Sequence, residues 1–156
     1  MSVEIEKYLA LQEQHVLLLQ ALAQQLVGCR KGVVAMELDG MHGRIAEQES
    51  LCRQIQSLHP AIDSLQQTCA KELDPGRLDA VRRPEDLAWA ERLRCVMSEL
   101  GQTQAEVSRL NQIQAAYLRR SRRTVDMLMN FMGNYALTYA PPAGPTLPAA
   151  RMAKRS

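Results

Sequence analysis

Aromatic residues make up 4% of the 156 residues: one Phe, one Trp and four Tyr. A core of stacked rings is therefore excluded, and aliphatic packing must carry the fold. Stretches with period-two alternation and hairpin punctuation are missing, which argues against strands. Apolar runs such as Val16–Leu19 are four residues long, far short of the roughly 20 needed to span a bilayer. The cysteines at 29, 52, 69 and 95 form no CxxC pair, so neither a zinc ribbon nor a redox motif is indicated. The opening MSVEIEKYLALQEQ has neither a basic n-region nor an apolar h-region. A cytoplasmic protein with reduced thiols and no membrane insertion is expected, its cysteines acting as small hydrophobes.

Catalytic and cofactor signatures are also missing. His15, His42 and His59 lie in separate segments, and none follows a glutamate by three residues, so the ExxH pattern of di-iron bundles is absent. Asp39-x-x-His42 comes nearest, but Asp39 serves better as a helix cap. Neither a phosphate-binding glycine loop nor GxSxG nor HExxH occurs. The residues call for no metal, cofactor or small molecule and point away from an enzyme.

What is present is helix-forming. Leu, Ala, Gln, Arg and Glu dominate, and these residues have high helix propensity. Ile5, Leu9, Val16, Leu19, Leu22, Leu26 and Val33 trace one face of a helix over 3–38, with Leu11, Leu17 and Leu18 widening it. Gly28 and Gly32 leave open a kinked helix or a helix–helix junction over 28–40. A second helix resumes after an Asp39 N-cap and carries Ile45, Cys52, Ile55 and Leu58. His59-Pro60 suggests a break before a short helix over 60–72. Asp74-Pro75-Gly76 reads as a turn. Pro84-Glu85-Asp86 opens a last helix expected to run from about 85 to about 135, stopped by Gly133-Asn134. The whole predicts an all-α fold: an elongated antiparallel bundle or long α-hairpin with coiled-coil-like packing. Residues 1–136 would form the helical domain and 137–156 a flexible, proline-rich, basic tail.

Charge is unevenly spread. Residues 119–156 hold seven Lys/Arg and one acid, whereas the first 118 residues hold twelve and sixteen. The run Arg119-Arg120-Ser121-Arg122-Arg123 spreads around a helix instead of forming one basic face, and Tyr117 is its one neighbouring aromatic. Nucleic acid is thus disfavoured as a partner.

The last helix is the informative one. Val107, Leu110, Tyr117, Val125, Leu128 and Met132 recur at helical spacing, while Asn111, Gln114 and Ser121 lie on or beside the same face. Polar groups in a sealed core cost stability unless they find partners, so the face suits a groove offered to another chain. Met127, Met129 and Met132 add side chains that adapt to varied surfaces.

LNQIQAAYLRRSRRTVDMLMN followed by TYAPPAG resembles the FlgN family of flagellar export chaperones, which reads approximately LNxxNxxLLxxxL here and closes on a YG-type tail. VVAMELDGMHGRIAEQESLCRQI is similar to that family's first half. Gln114 replaces the usual second asparagine, and Ala140-Pro141 the usual glycine. The resemblance implies a cytoplasmic chaperone that masks the C-terminal helices of hook–filament junction proteins until type III export. Leu110, Ile113, Tyr117, Leu118, Val125, Leu128 and Met132 would contact the client, and Tyr139 would dock at the export gate. A second copy covering the groove would make a homodimer that competes with the client. The other readings are a structural coiled-coil adaptor or scaffold, and an arginine-rich helical regulator of nucleic acid.

Overall fold

Leucines stepped by three and four residues build the first helix, α1, which runs Val3–Val34 with Glu4 and Glu6 in its first turn and Lys31 in its last, the arrangement the helix dipole favours. The computed structural model describes residues 3–35, 37, 39–80 and 83–138. Three further helices follow among these residues: α2, Met41–Thr68; α3, Pro75–Asp79; and α4, Pro84–Thr138. The described residues contain no strand, so the all-α expectation holds. The chain divides into two units, Met1–Ala116 and Tyr117–Ser156. The boundary lies within α4.

Several boundaries differ from the sequence-based ones. Gly28 and Gly32 stay inside α1, which closes at Val34 with the Glu37 amide donating to the Gly32 carbonyl at 2.8 Å. The question over 28–40 thus resolves as a helix–helix junction. The N-cap of α2 is Gly40, at φ 81°, not Asp39; the left-handed backbone there suits a residue without Cβ. Helix α2 does not break at Pro60 but contains it. Pro60 and Gln56 are both exposed, so water can satisfy the Gln56 carbonyl that loses its i+4 donor. Asp74-Pro75-Gly76 opens the one-turn α3 with proline at its start. Helix α4 passes through Gly133-Asn134 to Thr138, two residues beyond the expected domain limit. Glycine in a helix costs only about 1 kcal/mol, and flanking helix formers outweigh it. The remaining tail, 139–156, lies outside the described residues.

In the first unit, two apolar clusters lie along α1. One joins Ile5, Tyr8 and Leu9 to Ile62 and Cys69 near the end of α2 and to Trp89, Ala90 and Leu93 near the start of α4. The other joins Val16, Leu19, Leu22 and Leu26 to Leu51 and Ile55 and to Val96, Leu100, Val107 and Leu110. The pairing makes α2 antiparallel to α1, and the first half of α4 parallel to it. Leu9 is 0% exposed, a burial that contributes about 2 kcal/mol. Outside the clusters, Arg92 of α4 grips α1 through Glu6 at 2.9 Å and Glu13 at 2.7 Å. Its hydrogen bonds hold the Glu13 carboxyl below its usual value. All three groups of this network are substantially solvated, so it fixes alignment more than it adds stability.

Between the clusters, α1 buries Gln12 and His15. Gln12 Nε2 donates to the Tyr8 hydroxyl at 3.0 Å, while its Oε1 has no partner among the described residues; leaving such an atom unpaired costs about 1–3 kcal/mol. The His15 ring meets that of His59 edge-on, with centroids 5.3 Å apart. Burial first, and the His59 charge second, push His15 below its ordinary value of 6.5. The unfolded chain therefore binds the proton more readily than the folded one. Stability from this group is complete above pH 6.5 and falls as pH drops below it. Urea midpoints measured from about pH 7.5 to about pH 5 should decline, and His15→Gln should flatten that decline. The loss from Glu13 would begin lower, in the carboxylate range.

Candidate helix-binding surface

Burial on α4 ends abruptly. Trp89, Ala90, Leu93, Val96, Leu100, Val107 and Leu110 are buried, Ile113 and Gln114 half-buried, and every residue from 115 to 134 exposed. Local chemistry still favours a helix there, since Ala, Leu, Arg and Met make up 11 of the 20 residues from 115 to 134. Upstream, Arg109 and Glu106 pair one turn apart at 2.6 Å. The guanidinium lowers the Glu106 pKa and the carboxylate raises that of Arg109. Farther along, the Thr124 hydroxyl donates to the Arg120 carbonyl at 3.1 Å.

The expected contact residues separate into two sets. Leu110, expected to contact a partner, is only 4% exposed and belongs to the core with α1 and α2, so a partner would reach it only by opening that core. Ile113 is half-buried. Tyr117, Leu118, Val125, Leu128 and Met132 are exposed, with Leu118 at 62% and Leu128 at 57%. Tyr139 lies outside the described residues.

At about 100° per residue, those five exposed side chains fall on one face of the second unit. Met129 widens one edge of the face. Met127 and Phe131 widen the other, both with at least two-thirds of their surface exposed. Phe131 escaped the sequence reading, although it is the sole phenylalanine and stands three residues after Leu128. From Tyr117 to Met132 the stripe is about 24 Å long. An exposed apolar row of this kind, with Ser121 and Thr124 set into it, is a candidate interaction site.

The polar residues on this side of α4 also divide. Gln114 Nε2 donates to Gln48 Oε1 at 3.4 Å, and Gln48 Nε2 to the main-chain carbonyl of Gln25 at 3.4 Å. Gln114 therefore belongs to a long-bonded amide layer joining three helices in the first unit. Asn111 and Ser121 are exposed.

Comparison with known proteins returned no matching family model, curated protein or solved structure.

Among the described residues no group of three His, Cys, Asp or Glu side chains could hold a metal ion, and no helix is long and apolar enough to cross a membrane. All four cysteines are free. Cys69 is buried, and that burial, followed by Glu72 and Glu4, raises its pKa, which disfavours the reactive thiolate.

The division along α4 can be measured. Leu110→Asp should cost about 3 kcal/mol or more in chemical unfolding, whereas Leu128→Asp should stay within about 0.5 kcal/mol of the parent.

Proposed function

We propose that this chain is a non-enzymatic, cytoplasmic export chaperone. In this reading the stripe from Tyr117 to Met132 covers an amphipathic helix of a client that would otherwise self-associate. The observation that carries the proposal is the run of exposed apolar side chains on a helix whose earlier half is firmly cored. The residues that stabilise the first unit are not those of the stripe. A client can thus bind and leave without dismantling the core, as a holding chaperone requires. Loss of the client leaves a regular, internally hydrogen-bonded helix.

The client class rests on the resemblance carried by LNQIQAAYLRRSRRTVDMLMN. It assigns hook–filament junction proteins, whose C-terminal helices would occupy the stripe through helix-in-groove packing. The role of Tyr139 at the export gate rests on TYAPPAG alone. A homotypic scaffold is the second reading, favoured by the same exposed stripe, which a second copy could also cover.

Co-purification with the C-terminal ~100 residues of the hook-associated proteins, about one domain, separates the two. The proposal expects a stable complex that is lost when Leu118→Asp and Leu128→Asp are combined. A stable homo-oligomer that takes up none of these clients would instead support the scaffold.

A further inference from the structure

Two arginines that flank the stripe say what kind of helix it takes. On the wheel of the second unit, Arg120 falls at one edge of the apolar face, beside Met127 and Phe131. Arg122 falls at the other, beside Leu118 and Met129. Arg119 and Arg123 lie behind. All four are exposed, and the ion pairs found among the described residues lie elsewhere. Asp126, the one acid between 117 and 134, is on the far side, within helical reach of Arg122 and Arg123.

We infer that the occupant of the stripe is an amphipathic helix of another protein that carries acidic residues along both edges of its own apolar face. This inference rests on the helix-capture function proposed above and specifies the partner. Edge positions set partner choice when two helices pack side by side. Two copies of this segment, parallel or antiparallel, would place arginine edges against arginine or apolar edges, never against an acid. Self-pairing is thereby penalised and a heterotypic, acid-edged helix favoured. Ser121 lies near the middle of the stripe, and Tyr117 brings a hydroxyl to it. A protein helix can answer such groups with hydrogen bonds, whereas lipid acyl chains cannot. Duplex DNA would meet an apolar centre where it needs cations.

The test uses three synthetic helical peptides of about 18 residues, a length matching the stripe, with one shared Leu/Ala face and edge positions filled by Glu, Gln or Lys. Binding to the 156-residue chain is read by fluorescence anisotropy, beside duplex DNA and anionic phosphatidylserine vesicles. The Glu-edged peptide should bind about fivefold tighter than the Gln-edged one, the yield of two exposed ion pairs. The Lys-edged peptide should bind weakest, and added salt should compress the series. Arg120→Glu with Arg122→Glu, both at exposed positions and checked for unchanged helicity by circular dichroism, should invert the order. Equal binding of all three peptides would overturn the charge inference and leave helix capture standing. Failure of all three would overturn helix capture itself, and with it this inference. DNA or vesicles bound in preference to the Glu-edged peptide would overturn the inference in favour of an anionic polymer or surface.

Discussion

A mismatch of lengths governs this protein. Helix α4 has 55 residues, while α1 and α2 have 32 and 28. Among the described side chains of α4, burial runs as far as Leu110, where α1 and α2 supply partners. Beyond that point the apolar periodicity continues while burial does not. Core and candidate binding surface are successive stretches of one helical pattern, distinguished by what covers them.

Polar side chains set how the covered part is assembled. Gln12 and His15 interrupt the apolar face of α1 between the two clusters, and Gln25, Gln48 and Gln114 meet near the far end of the second cluster. Sliding one helix past another would separate Gln48 from Gln114 and from the Gln25 main-chain carbonyl, so the layer favours a single register. Arg92, held by Glu6 and Glu13, aligns α4 on α1 at the opposite end. Registered this way, the first unit holds the start of α4 firmly against α1.

The period of the leucines made every long helix legible, because 3.6-residue spacing survives without tertiary information. The ends were less so. Pro60, Gly133 and Asn134 are local breakers that flanking helix formers overcame, and Gly40 displaced Asp39 as a cap because the backbone there is left-handed. The exposed stripe was legible as a face, but its starting point was not: Leu110 and Leu128 share that face, and only the reach of α1 and α2 decides that one is buried. The Gln48 partner of Gln114 and the His59 neighbour of His15 are contacts across helices, which spacing along one helix cannot disclose. Phe131 was missed because it lies at the edge of the stripe, off its central row.

In the proposed function, the apolar surface over 117–132 is uncovered in the free chain and becomes covered by a client helix. Amide hydrogen exchange, followed with and without the C-terminal region of a hook-associated protein, tests this most directly. Local opening of a helix depends on how much of it is packed. Fast exchange over 117–132 is expected in the free chain at every protein concentration, with marked slowing there when client is added and little change in the protected segments of residues 3–110. Slow exchange over 117–132 that strengthens with concentration and ignores the client would contradict it.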